Sequence, residues 1–357
     1  MKGRFPGMRK LDLRHGRVDL AHGAGGRASL QLIVELFSRH FSNEWLARGD
    51  DGAVLPALAP GERLVLATDS HVVFPLFFPG GDIGSLAVHG TLNDVAVMGA
   101  RPLWLSAAFI LEEGFPLADL DRIAASMAKA AREAGTPIVT GDTKVVQKGK
   151  GDGVFITTTG AGALPEGVET GGARARAGDA ILVSGTLGDH GMAILSAREG
   201  LDTLSAGMGF ATPIVSDSAA LHDLIAHLYR SGIEAHVLRD PTRGGLGATL
   251  NEIAQQSGVG MLLEEPRIPI HPAVAAACEF LGLDPLYLAN EGKLVLICPQ
   301  TDAARALLVL QSHPLGRQAA IIGAVVEDAR HCVEMRTSVG GHRIVDWLAG
   351  DQLPRIC

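Results

Sequence analysis

The chain ends on a thiol. Cys357 is the last of 357 residues, and Gly350 and Pro354 just before it disfavour a helix or strand that would hold the end down. A thiol on a mobile tip is a nucleophile that can be loaded in one place and unloaded in another. Arg355 favours the thiolate, while the chain-terminal carboxylate opposes it. Taken alone, the tail is also open to a plainer reading, a frayed end that happens to finish in Cys.

A second set of residues points to metal–nucleotide chemistry. Acidic residues recur where apolar strands end, or in the helical text between them: Asp50-Asp51-Gly52, Thr68-Asp69-Ser70, Asn93-Asp94 and Gly141-Asp142-Thr143-Lys144. Mg2+ takes hard oxygen ligands and usually shares them with substrate phosphates, and crowded carboxylates repel unless a cation sits among them. Any one of these aspartates has an ordinary explanation in a turn or a cap, but the set reads as a Mg2+–nucleotide site. Two glycine-rich turns ahead of helices are candidate phosphate cradles, Gly23-Ala24-Gly25-Gly26 and Thr242-Arg243-Gly244-Gly245. There is no Walker A pattern, and the first turn does not fit GxGxxG after a strand. Lys144 and Glu291 are candidates for moving protons, since burial can tune the pKa of either; ordinary salt bridging is the alternative for both.

These residues need elements to position them. Strands are expected at 63–68, 103–111, 137–140 and 154–161, with helices at 82–98 and 117–134. The second helix shows the clearest periodicity, with Leu117, Leu120, Ala124, Met127, Ala131 and Ala134 on one face and Gly135 as C-terminal cap. Further on, strands are expected at 180–183, 259–263, 294–298 and 320–326, and helices at 212–231, 246–256, 272–281 and 302–311. Glycines and Ala-Arg alternation between 165 and 177 mark a boundary. The expected organisation is a flexible basic lead-in (1–17), an N-terminal domain (18–170), a C-terminal α+β domain (171–339) and a mobile tail (340–357).

Composition narrows the function classes. Hydrophobic residues make up 47%, ample for packed cores, while aromatics are only 4%, so Ala, Val, Leu and Ile must do most of the packing. The 45 glycines suggest many tight loops and close approaches of backbone to ligand. A net charge of -8 without a long basic run argues against nucleic acid or an anionic membrane as main partner. Cys278, Cys298, Cys332 and Cys357 form no CxxC, so neither a zinc ribbon nor a dithiol motif is signalled. No secretory segment or spanning apolar run is evident, and the chain reads as cytoplasmic.

Together the motifs resemble a known family. His22-Gly23-Ala24-Gly25-Gly26, Asp50-Asp51-Gly52-Ala53, Thr68-Asp69-Ser70, the run from Gly90 to Ala100 containing Asn93-Asp94, Gly141-Asp142-Thr143-Lys144-Val145, Asp240-Pro241-Thr242-Arg243-Gly244-Gly245, Asn290-Glu291-Gly292 and terminal Pro354-Arg355-Ile356-Cys357 resemble the HypE family of hydrogenase maturation proteins. The middle motifs are shared with aminoimidazole ribonucleotide synthetase, selenophosphate synthetase and thiamine monophosphate kinase; the terminal Pro-Arg-Ile-Cys is the specific part. The resemblance runs from about Val18 to the end.

The resemblance implies a two-domain aminoimidazole ribonucleotide synthetase-like fold, α/β then α+β, with a flexible C-terminal tail and a homodimer formed through the N-terminal sheet. It also implies a reaction. HypF places a carbamoyl group on the terminal thiol, ATP is used to dehydrate that thiocarboxamide to a thiocyanate, and the cyano group passes to iron on the HypC–HypD complex. In these terms Cys357 is the covalent carrier, with Glu291 and Lys144 moving protons. Asp51, Asp69, Asp94 and Asp142 would hold Mg2+, and Gly25, Gly26, Asp50, Thr91, Asn93, Asp240, Thr242 and Arg243 would contact the nucleotide. Asn93 has the alternative of simply capping local backbone. Two other readings compete. A selenophosphate synthetase would be expected to carry a Cys or selenocysteine before the first glycine turn, where Asp19 to His22 have no thiol. A non-catalytic thiol carrier would need no acidic cradle.

Overall fold

The computed structural model describes residues 10–199, 214–348 and 355–356. The first sheet lies within 63–164 and the second within 179–344. In the first half run β1 (Arg63–His71), a small hairpin of β2 (Phe77–Phe78) and β3 (Gly81–Asp82), then β4 (Arg101–Glu112), β5 (Ile138–Val146) and β6 (Val154–Leu164). The four long strands form a sheet in the order β1-β6-β4-β5. Only the β4–β5 pair is parallel, and the helix Leu117–Glu133 makes its crossover. β4 shows why one face is covered: Leu105, Ala107, Phe109 and Leu111 are buried, while Ile110 on the other face is exposed.

The covered face packs against two helices. Leu117–Glu133 buries Leu120, Ile123, Ala124 and Met127. The preceding helix, Ile83–Val97, is apolar almost all round and nearly all buried, because it also lies against the second half of the molecule. Asp82 caps it, accepting from the Gly84 and Ser85 amides at 2.7 and 3.2 Å. Gly84 lets the two helices touch: a Cβ there would lie 2.4 Å from the Ile123 carbonyl oxygen.

The second sheet has seven strands: β7 (Asp179–Val183), β8 (Val237–Arg239), β9 (Gly260–Glu264), β10 (Val295–Pro299), β11 (Ala320–Val326), β12 (Val333–Arg336) and β13 (His342–Ile344), in the order β13-β12-β9-β11-β7-β10-β8. All five residues of β7 are buried, since helices cover both faces. Ile181 and Val183 join Leu246, Leu250 and Ile253 of the helix Gly245–Ser257. Ala180 and Leu182 join Leu224 and Leu228 of His222–Arg230, and Ala306 and Leu310 of Gln300–Ser312.

Several expectations are corrected. β1 and β5 run past their expected ends, so Asp69 and Asp142 sit inside strands rather than after them. The expected helix 212–231 is only His222–Arg230; its first two residues lie outside the described residues. Residues 214–221 stay non-helical because other elements take their hydrogen bonds: the Ser216 amide donates to Pro79 O, the Ala219 amide to Glu291 O and the Leu221 amide to Asn93 Oδ1. The lead-in is anchored at several points, since Leu11 and Leu13 lie against the first core and Arg17 bridges Pro116. The tail does not begin at 340, because β13 pairs with β12 and Val345 is fully buried.

Candidate active site between the two sheets

Four carboxylates from four elements lie near enough, between the two halves, to repel one another. Asp69 comes from β1, Asp94 from the helix Ile83–Val97, Asp240 from the turn after β8, and Glu291 from the loop before β10. Glu291 is 2% exposed, and its Oε1 has no hydrogen-bond partner; neither does Oδ2 of the buried Asp240. Burial, and then the neighbouring Asp240 and Asp69, push Asp94 up to about 7. Burial is also the main reason that Asp240 rises to about 6. Glu291 is raised well above the usual carboxylate range, by burial and then by Asp240, Asp217, Asp69 and Asp94. Buried acids that repel one another, with orphaned oxygens, suit a site that receives positive charge or gives up protons.

The loop that carries Glu291 is held from several sides. The Asn290 side chain accepts from the Gly188 amide at 2.8 Å and donates to Pro241 O at 3.1 Å, tying this loop to the turn of Asp240. The Glu291 amide donates to Asp217 at 3.0 Å, and Asp217 also pairs with Lys293 at 3.0 Å. Gly292 is required by contact, since a Cβ there would meet the Asp217 carbonyl oxygen at 1.9 Å. Arg243 is exposed just before the helix Gly245–Ser257; burial holds the nearby His71 below the ordinary imidazole value, and the Arg243 charge adds to that. His71 in turn lies 3.3 Å from Asp69. A guanidinium, a helix N-terminus and the acids thus occupy one region.

A separate pocket of about 230 Å³ opens at the edge strand β5, lined by Gly23, Gly25, Phe37, Phe109, Asp142 and Lys144 among others. Gly25 adopts φ +76, and Gly23 packs so closely on β5 that a Cβ would lie 2.6 Å from the Val145 nitrogen. The last described residues reach the groove between the halves. Ile356 bridges Val73, and its carbonyl oxygen is 2.7 Å from Nε2 of the buried His190.

Two models of the AIR synthase related protein family match the chain, the N-terminal domain over residues 49–164 and the C-terminal domain over 176–336. A carbamoyl dehydratase HypE of Cupriavidus necator is 65% identical over 349 residues, covering 98% of this chain and 97% of the relative. The chain belongs to the HypE family of carbamoyl dehydratases. A crystal structure of hydrogenase maturation protein HypE in complex with ATP matches it with a TM-score of 0.89 at 52% identity, over 95% of this chain and 99% of that one. The structure of a HypE–HypF complex matches with a TM-score of 0.76 at 50% identity, over 89% and 99%.

Within this HypE-family fold the expected site residues separate into groups. Asp69, Asp94, Asp240, Glu291 and Arg243 are brought together. Asp142 and Lys144 are not with them. Their side chains pair at 2.9 Å, but Asp142 registers with Ala108, whereas Asp69 registers with Thr158 on the opposite face. β1 and β5 are the two outer strands of the sheet, roughly 14 Å apart at the usual strand spacing. One Mg2+, with ligands at about 2.1 Å, cannot be shared across that gap. Asp50 and Asp51 are exposed on an irregular segment. Among the described residues no three His, Cys, Asp or Glu side chains converge as a ready metal cage.

Two expected nucleotide contacts have other work. Asn93 accepts from the Leu221 amide at 2.8 Å and donates to the carbonyls of Ala219 and Glu291 at 3.0 and 3.3 Å. It is a clamp between the two halves, with its amide group fully engaged. Thr91 is buried and bonds the Thr158 hydroxyl at 2.6 Å, fastening its helix to the sheet. Gly26 and Thr242 lie at their expected helix starts without a deciding contact, and Cys357 lies outside the described residues. Asp217, His190 and Lys293 were missed. Nothing in their local text distinguishes them from surface residues, and their roles depend on partners far along the chain.

Proposed function

We propose that the protein uses ATP to dehydrate a carbamoyl group carried as a thiocarboxamide on Cys357, leaving a thiocyanate for delivery to hydrogenase iron. The observation that carries this reading is the docking of Ile356 between the two halves, on a chain of hydrogen bonds that leads to the loop of Glu291. The residue next to the terminal thiol is held by His190, whose partner Ser216 adjoins Asp217, the acceptor of the Glu291 amide. Burial disfavours two of the other thiols as carriers, since it pushes Cys278 up to about 11 and Cys298 up to about 12.

The chemistry follows from a poor leaving group. Transfer of the ATP γ-phosphoryl to the thiocarboxamide oxygen, with loss of one N–H proton, gives an imidate phosphate and ADP. Loss of the second N–H proton then expels phosphate and forms the C≡N bond. Glu291 is the base we assign to these protons: buried and raised, its carboxylate binds a proton near neutral pH more readily than an ordinary Glu. Asp69, Asp94 and Asp240 make no ready cage by themselves, but a Mg2+ shared with the ATP phosphates would fit beside them, because a cation would relieve their mutual repulsion and pair the orphaned Asp240 oxygen. Bound there, Mg2+ would neutralise phosphate charge. Arg243 adds a fixed positive charge beside them.

Asp142 and Lys144 are best explained by a homodimer. The uncovered sheet face exposes Leu64, Leu66 and Ile110, an apolar surface that a second copy would bury. Such pairing would set Lys144 of one copy against the partner. HypF, as the source of the carbamoyl group, and the HypC–HypD complex, as the acceptor, complete the proposed sequence; the HypE half of the HypE–HypF complex is half identical to this chain.

Intact mass spectrometry tests the reading. Cyanate-carbamoylated protein, with the adduct mapped to Cys357, should lose one water on adding Mg-ATP and not without it. A loaded Cys357 that keeps its mass with Mg-ATP would leave the protein a carrier only.

A further inference from the structure

We propose that His190, oriented by Ser216, is the positioning residue that seats the C-terminal tail for the dehydration step and takes no part in loading. This rests on the dehydratase reading above. The seat is built from backbone recognition as well as apolar contact. Ile356 is 4% exposed and joins the apolar cluster that contains Val73, Phe78 and Ala289. The Arg355 carbonyl accepts from the Phe74 amide at 3.1 Å and from Arg198 Nη2 at 2.9 Å. The Ile356 carbonyl, one peptide from the reactive residue, is held by His190 Nε2 at 2.7 Å.

The tautomer follows from the partners. His190 is fully buried, and burial opposes its protonation, so the ring carries one N–H. A carbonyl only accepts, so that hydrogen is on Nε2, and Nδ1 accepts from the Ser216 hydroxyl at 2.7 Å. The Phe78 ring meets the imidazole edge-on at 5.6 Å and 88°. Ser216 is therefore the orienting group, and its neighbour Asp217 fixes the loop of Glu291. One short segment, 216–218, sets both the tail seat and the base.

The two half-reactions make opposite demands. Loading requires that the thiol reach another enzyme, and dehydration requires that it return to Glu291. Since His190 touches the tail only when the tail is seated, losing it should slow the step that needs the seated tail. The test uses full-length wild type, His190→Ala, His190→Gln and Ile356→Asp, each loaded with cyanate and mixed with Mg-ATP in a single turnover. Hydrogen exchange of the Phe74 amide is read alongside. We expect equal loading, dehydration slowed ~10-fold or more in His190→Ala and Ile356→Asp, and partial recovery in His190→Gln, whose amide N–H can replace Nε2–H. Phe74 exchange should accelerate in the first two. Ile356→Asp alters only the tail, so misfolding of the body cannot account for its effect. Wild-type dehydration rates with a protected Phe74 amide in His190→Ala, or wild-type rates in Ile356→Asp, would overturn the proposal. Were the loaded wild type itself inert to Mg-ATP, the dehydratase reading would fail, and unchanged Phe74 exchange in His190→Ala would separately remove His190 as the holder of the tail.

Discussion

At the residue scale, the site holds its acids in a state that costs stability. Asp94 keeps a proton in the folded chain up to about pH 7, whereas an unfolded Asp releases it near 3.8. Between these values the folded state binds more protons than the unfolded one, so this group's contribution to stability falls as pH rises through that window. Asp94→Asn should therefore melt higher than wild type at pH 8 in metal-free buffer, by a few degrees, with the gap closing toward pH 4. Thermal scans across pH check this; a gap that widens on acidification would contradict the assigned environment. Glu291→Gln removes the charge while keeping the shape. It should be loaded with carbamoyl normally, melt at least as high as wild type, and fail to lose water with Mg-ATP; mass spectrometry of the Cys357 peptide reads the outcome directly.

At the scale of elements, the helix Ile83–Val97 is the part on which the site depends. It carries Asp94 on one side and the Asn93 clamp on another, and Thr91 fastens it to the first sheet. Its distance from Leu117–Glu133 is set by Gly84 against the Ile123 carbonyl. Gly84→Val should force these helices apart and destabilise the protein by about 1–3 kcal/mol, the usual cost of overpacking, measured as a lowered urea midpoint. Met127→Ala, fully buried on the facing helix, should cost about 2–5 kcal/mol through the opposite fault, a cavity. Only Gly84→Val should impair dehydration beyond its effect on stability, since it shifts the element that bears Asp94.

At the scale of the whole molecule, the uncovered face of the first sheet is the main unfinished surface. Leu66 is 67% exposed on β1, and Leu64 is 61% exposed beside it. On the dimer reading, Leu66→Asp should convert the protein from dimer to monomer, read by light scattering, and lower dehydration, because Lys144 would lose its partner. A Leu66→Asp protein that keeps the mass of wild type would remove this face from the assembly. Among the described residues no helix is long and apolar enough to cross a membrane.

The candidate residues were legible in the sequence only as a set, a terminal thiol, aspartates in and around apolar strands, Glu291 before an apolar strand and Arg243 before a helix, since each alone has an ordinary explanation. Most elements were legible too, since the periods of Leu117–Glu133 and of the buried strands are local properties. What the tertiary structure alone decided was which of these residues meet. Alternation along a strand is local, but which face looks at a distant helix depends on sheet order, and that placed Asp142 and Lys144 away from Asp69. The other roles that escaped the sequence, the Asn93 clamp, the Asp217 contact with Glu291 and the His190 hold on Ile356, are hydrogen bonds spanning 74 to 198 residues. No local spacing encodes a partner that far away; folding creates the pair by burying both groups where water can no longer satisfy them.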